Sequence, residues 1–328
     1  MPKFDYAGYF NRIREIERLV VPADGINWLE RYSKPEKPVD VLLYLGCNVL
    51  MTAHLAQEVV KVFEAIGVSF AAVGGPQFCC GIVHYGHGDR GASTRLTRAT
   101  VDKFESFGAR EVVMWCPSCN KHFDEVIIKQ LQPNFSVTHT TAYLAARVDR
   151  LPFRQKVASR VALHTHSGRR QQEADATAAS TLLKAIPGLT VTDAVENAEL
   201  DYHCNNVTIE RMGLERFREI RLGLAQAAAA QRADTVATIY HSCQREWSDL
   251  ELPDLAVRSY ISLVSESLGI REYDNYQEYR RRRDIDATVE AAREAWQSHG
   301  MTEQQARGLV RKHFLGSRYP EEGSVDSG

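Results

Sequence analysis

Short apolar runs alternate along this chain with longer stretches in which apolar positions recur every three or four residues. The runs at 39–45, 68–73 and 111–115 are the length of buried strands, and each ends at glycine or cysteine. The stretches 52–66, 89–107 and 120–131 carry helical periodicity, the first two stopped by Gly67 and Gly108. Strand and helix in strict alternation predict a parallel sheet with helices on its faces.

The second half repeats the plan. Strands are predicted at 157–163, 189–192 and 235–240, and helices at 172–185 and 208–231. Residues 254–315 read as helical throughout. The start of the chain, 1–36, reads as a helical lead-in carrying Phe10, Ile13, Ile16, Leu19 and Val20 and broken at Pro22; the residues from Lys34 to Pro38 read as a linker. Tyr319 to Gly328 is a polar tail. The expected fold is α/β, with two tandem parallel-sheet lobes related by a pseudo-twofold and helical extensions at both ends. The expected boundaries are 1–37 for the N-terminal extension and linker, 38–150 for the first lobe, 151–270 for the second, and 271–328 for the C-terminal extension and tail.

Composition narrows the function. With 44% apolar and 25% charged residues in 328, the chain can bury two ordinary cores. A net charge of −2 gives no electrostatic case for nucleic acid. No apolar run is long enough to span a bilayer, and the polar start lacks a secretory signal, so a cytoplasmic location is expected. No G-x-G-x-x-G follows a predicted strand, and no P-loop or nucleophile-elbow serine is found.

The chemistry lies in cysteine. Cys47, Cys79, Cys80, Cys116 and Cys119 form C-x31-C-C-x35-C-x2-C, with Gly81 after the doublet. Each group follows the C-terminal end of a predicted strand, the edge at which open α/β sheets carry their sites. Gly81 allows close backbone approach to a bound group or an unusual φ. Five thiolates are one more than a tetrahedral zinc ion needs, whereas an iron–sulfur centre can use the extra sulfur as a bridge. Zinc on four of the five, a metal-free thiol–disulfide relay and inert core cysteines are the competing readings.

This motif resembles the cysteine-rich CCG domain found in the B-type component of heterodisulfide reductase, with two tandem copies across roughly 38–270. The resemblance implies a noncubane [4Fe-4S] cluster held by the five first-lobe cysteines. It further implies an oxidoreductase subunit that cleaves or forms disulfide, persulfide or thiol bonds, or only relays electrons. The implied partners are a ferredoxin-like iron–sulfur subunit, a flavoprotein subunit and a small thiol or disulfide substrate. The alternative is a non-catalytic electron-transfer subunit linking a dehydrogenase to an acceptor, with zinc or no metal in the second lobe.

The second motif is altered. Thr165, between His164 and His166, stands where the resemblance leads one to expect the first cysteine; His203-Cys204-Asn205 stands for Cys-Cys-Gly, and the segment from Cys243 to Glu246 for C-x2-C. His164, His166, His203, Cys204, Cys243 and Glu246 are a mixed N, S and O donor set suited to zinc or a second iron–sulfur centre, or else buried scaffold or a metal-free substrate site. Near the first doublet, His84 and His87 are candidate proton donors, with solvated loop histidines as the plainer reading. Arg169 and Arg170 could bind an acidic group; the run Arg280 to Arg283 reads as a solvated helix face or a docking surface.

Overall fold

The structure, a computed structural model, describes residues 4–26, 29 and 37–315. The tail, and the linker as far as residue 36, lie outside the described residues.

Eight strands form two four-stranded parallel sheets. The first contains β1 (Val41–Tyr44), β2 (Phe70–Val73), β3 (Glu111–Met114) and β4 (Ser136–His139) in the order β2-β1-β3-β4. The second contains β5 (Ser159–His164), β6 (Leu189–Val191), β7 (Thr235–Thr238) and β8 (Ala256–Ser259) in the matching order β6-β5-β7-β8. The α/β class and the two tandem sheets with helical ends therefore agree with the sequence.

Three expectations need correction. Residues 256–259 are a strand inside the stretch read as wholly helical. The β4 strand, absent from the sequence reading, closes the first sheet. The 208–231 helix is two helices that meet at Gly213, whose φ of 85° interrupts α-geometry.

Seventeen α-helices lie among the described residues. The first lobe is preceded by α1 (Tyr6–Val20) and α2 (Ala23–Ile26) and carries α3 (Ala53–Ala65), α4 (Ile82–Gly86), α5 (Arg90–Ser106), α6 (Pro117–His122), α7 (Ile128–Leu131) and α8 (Thr140–Ala145). The second carries α9 (Arg170–Ala185), α10 (Asn206–Met212), α11 (Leu214–Ala230), α12 (His241–Trp247) and α13 (Tyr260–Ser267). The C-terminal part is α14 (Asn275–Arg282), α15 (Ile285–Ala291), α16 (Arg293–Ser298) and α17 (Glu303–Val310).

Alternation along the central strands explains the packing. Leu42 and Tyr44 face a local core with Phe104, Val112, Met114 and Phe123. Val41, Leu43 and Leu45 face the other way, into a core continuous with the second lobe. There α3 packs against α13, and α8 against α9. Each large apolar side chain buried in this shared core contributes about 1.5–3 kcal/mol relative to exposure, so the two lobes are held as one body.

Polar groups are also buried at the joint. Asp175 on α9 accepts hydrogen bonds from Thr141 at 2.7 Å and Tyr240 at 2.9 Å, and its carboxylate lies 3.0 Å from His139 Nδ1. Glu58 on α3 accepts from Ser262 on α13 at 2.6 Å.

Candidate metal centres of the two lobes

Cys47 follows β1 by three residues and Cys116 follows β3 by two, so hydrogen-bond register brings both to one edge of the sheet. Cys79 and Cys80 reach it from the loop after β2, and Cys119 from the first turn of α6. All five are buried.

Glycines make this convergence possible. Gly46 has φ +80°, and a Cβ there would lie 2.6 Å from Cys116 Cβ and 3.3 Å from its sulfur. Gly81 has φ +85°, and a Cβ there would lie 2.8 Å from Ser93 O. A side chain at either position would therefore clash with these neighbours as well as strain the backbone.

The sulfurs are linked in pairs. Cys80 Sγ lies 3.3 Å from Cys119 Sγ, Cys119 bonds to Cys116, and Cys47 bonds to Cys79. The Gly81 N–H donates to Cys79 Sγ at 3.4 Å, and Tyr44 Oη stands 3.6 Å from Cys119 Sγ. The hydrogen bond with Cys47 lowers the Cys79 thiol, and that with Cys119 lowers the Cys116 thiol far below the ordinary range. Their donors, Cys47 and Cys119, are pushed up correspondingly. A buried, all-sulfur group whose thiols shift one another in this way suits soft metal ions.

The neighbourhood contains orphaned donors. His241, on α12 of the second lobe, contributes to lowering the Cys116 thiol, yet neither of its buried ring nitrogens has an ordinary hydrogen bond. Arg245 Nη1 and Trp115 Nε1 are likewise buried without partners. Tyr9, on α1, has its hydroxyl raised by burial and then by Cys47, and Arg245 acts on it in the opposite direction. Tyr9, Tyr44, Gly46, His241 and Arg245 escaped the sequence reading. The Gly46-Cys47 pair directly after a strand was the one available signal.

His84 and His87 are held elsewhere. His84 stacks on Tyr6 at 4.0 Å and lies 3.7 Å from Asp89, and His87 stacks on Phe4 at 3.8 Å. Arg169 pairs with Glu125 across the lobes. The basic run is engaged locally: Arg280 with Asp249, Arg281 with the carbonyls of Ser248 and Leu250, and Arg282 with Glu278.

In the second lobe, His164 is the last residue of β5, His166 lies two residues on, Cys204 precedes α10 and Cys243 lies in the first turn of α12. Their four ligand atoms lie within 4.8 Å of one another, and all four residues are buried. Among the described residues this is the group tight enough for one ion, and the first-lobe sulfurs do not form such a group. Two of the expected donors stand apart. His203 bonds to Ser118 at 2.8 Å and Ser242 at 2.9 Å, and burial lowers its pKa to about 4. Glu246 is beside Arg245 at 3.4 Å.

The strand register also revises the comparison of the two motifs. Tyr44 pairs with Met114 as His164 pairs with Thr238. Cys116 caps α6 as Tyr240 caps α12, so Cys243 corresponds to Cys119 and not to Cys116.

Comparison with known proteins agrees with this geometry. Residues 41–124, which hold all five first-lobe cysteines, match the family described as "CCG: Cysteine-rich domain". The chain is 26% identical over 268 residues to the D-type component of dihydromethanophenazine:CoB–CoM heterodisulfide reductase from Methanosarcina mazei, covering 75% of this chain and 63% of that protein. It is 24% identical over 267 residues to the corresponding protein of Methanosarcina barkeri, with the same coverage. A shorter match, 26% over 139 residues, covers 42% of this chain and 18% of the EtfAB:quinone oxidoreductase of Syntrophomonas wolfei. The chain thus spans 63% of the length of the two Methanosarcina proteins. The motif suggested the B-type component of heterodisulfide reductase, whereas these relatives are the D-type component. No helix among the described residues is long and apolar enough to cross a membrane. Residues 41–124 are thus similar to the cysteine-rich CCG family, and the chain as a whole is similar to a component of heterodisulfide reductase and, over a shorter stretch, to an EtfAB:quinone oxidoreductase.

Proposed function

We propose that this chain is the iron–sulfur redox subunit of a heterodisulfide reductase-like complex, acting on a disulfide, persulfide or thiol substrate. Cys47, Cys79, Cys80, Cys116 and Cys119 would hold a noncubane [4Fe-4S] cluster. The observation that carries this reading is the convergence of five buried sulfurs from three strand-end loops, with Cys80 and Cys119 3.3 Å apart. The donor set fits the group. It is all sulfur, it is buried, and His241 of the second lobe reaches Cys116.

When bound, such a cluster would supply electrons one at a time for splitting an S–S bond, or take them up one at a time where the bond forms. The remaining work falls to the chain. Burial excludes water from the sulfurs. His241, beside Cys116, is positioned to carry the proton that a released thiolate takes up. Arg245, with a free buried N–H, would orient an anionic substrate group. His84 and His87, stacked on Tyr6 and Phe4, are better suited to holding α1 against α4. The electron-relay alternative uses the same cluster without substrate chemistry.

The test is anaerobic iron and sulfide analysis with electron paramagnetic resonance on the wild-type chain and Cys119→Ser, because Cys119 touches Cys80, Cys116 and Tyr44. Loss of most iron and of the signal in the variant is expected. Wild-type iron, sulfide and signal in the variant would overturn the assignment. Disulfide reduction from a reduced dye distinguishes catalysis from relay.

A further inference from the structure

The second lobe copies the first sheet strand for strand, yet its site is built from different donors. The copy is closest at one sulfur pair. Cys204 and Cys243 are 39 positions apart, as are Cys80 and Cys119, and the members of each pair bond to each other. The other sulfurs of the first motif have no counterpart. Tyr240 stands at the position of Cys116, and the β5 strand end supplies His164 and His166.

The histidines are prepared as ligands. His164 Nδ1 lies 3.3 Å from Val195 O and His166 Nδ1 lies 3.0 Å from Asp201 O. A carbonyl can only accept, so each Nδ1 carries the proton and each Nε2 presents its lone pair. Fixing a tautomer through a backbone carbonyl is how metal-bound histidines are commonly held. Both Nε2 atoms point at sulfur: His166 to Cys243 at 3.2 Å and to Cys204 at 3.9 Å, and His164 to Cys204 at 3.5 Å.

These separations suit one small ion. In a tetrahedron with Zn–S of about 2.3 Å and Zn–N of about 2.0–2.1 Å, the N···S edge is about 3.6 Å. The three observed edges scatter about that value, and no pair exceeds 4.8 Å. A Rieske-type [2Fe–2S] centre uses the same residue types but places its histidines and cysteines on different irons, which requires a wider set. Two thiolates and two neutral imidazoles cancel a divalent charge, which the buried site requires. The Trp247 indole N–H, without an ordinary partner, is directed to Cys204 and suits a metal-bound thiolate.

We infer that the second lobe binds a single zinc-class divalent ion through His164 Nε2, His166 Nε2, Cys204 Sγ and Cys243 Sγ, as a closed tetrahedral structural site and not a second iron–sulfur centre. All four positions are filled by protein, so no place remains for water or substrate. The site locks the loop after β5 to the loop before α10 and the start of α12, whose His241 and Arg245 face the first lobe. This inference is independent of what the first lobe holds.

The test uses the full chain purified anaerobically and dialysed against chelator. Zinc, iron and sulfide are quantified, and X-ray absorption at the zinc edge reads the shell. One zinc per chain with two nitrogens and two sulfurs is expected. Cys204→Ser/Cys243→Ser should lower zinc at least tenfold with iron retained. A chain without zinc, a four-sulfur zinc shell, or iron lost together with these two cysteines would overturn the inference. The zinc-edge shell is read on the wild-type chain, so a variant that fails to fold does not remove the test.

Discussion

Glu58→Gln should stabilise the protein at alkaline pH and leave it nearly unchanged in acid. Glu58 is buried between α3 and α13, where the lobes meet, and accepts a hydrogen bond from Ser262 at 2.6 Å. Burial raises its pKa from 4.5 to about 8, although the Ser262 bond and Arg258 act in the opposite direction. Below about pH 4.5 the carboxyl is protonated both folded and unfolded, so it adds no pH dependence. Between that pH and about 8 only the unfolded chain ionises it, and stability falls as pH rises. Above about 8 both states are ionised and the loss is complete. The separation of about 3.5 pH units, at about 1.4 kcal/mol per unit, sets a ceiling of about 5 kcal/mol. Relaxation and water entry reduce this, and about 2–4 kcal/mol is the expected gain at pH 8.5. An amide keeps an acceptor for Ser262 and cannot ionise. The assay is urea unfolding of both proteins from pH 5 to 9, read as a difference so that every other titrating group cancels. Parallel pH profiles would refute the reasoning, because they would mean Glu58 ionises alike in both states.

Two further substitutions probe the scaffold. Gly81→Ala forces a Cβ to 2.8 Å from Ser93 O at φ +85°; a loss of about 2–4 kcal/mol in denaturant unfolding is expected, together with lowered iron content. Asp175→Asn replaces an acceptor serving His139, Thr141 and Tyr240 by a group with one acceptor oxygen. A cost of about 2–4 kcal/mol in the same assay is expected. Burial opposes ionisation of Asp175, but His139, Thr141 and Tyr240 outweigh it and lower its pKa. Its contribution is therefore complete above about pH 4, disappears below, and should vanish from the variant's acid profile.

The parts of the fold that are fully buried were legible. β1 and β7 are buried along their whole length, and such strands read as continuous apolar runs. β4 and β8 were not, because Ser136–His139 and Ala256–Ser259 lie at sheet edges and mix polar with apolar residues. The first-lobe cysteines were legible from spacing alone. The second-lobe equivalence was not. Matching Cys243 to Cys116 followed residue type, whereas hydrogen-bond register fixes the true correspondence with Cys119. Nor could sequence separate His164 and His166, whose rings face the sulfurs, from His203, whose ring is taken up by two serines.

That distinction bears on how the two lobes are joined beside the sites. His203 lies next to Cys204, Ser242 next to Cys243, and Ser118 between Cys116 and Cys119. The ring joins Ser118 to Ser242 through its two nitrogens. A neutral imidazole has one donor and one acceptor, so one serine must donate to it and the other must accept. Cys204 O, 3.3 Å from Nδ1, can only accept, so Nδ1 carries the proton and Nε2 accepts from Ser118. The ring thereby ties the first turn of α6 to the first turn of α12 across the buried joint. A movement of α12 by about one ångström would break bonds this short, so the link depends on the packing that holds α12 against the joint.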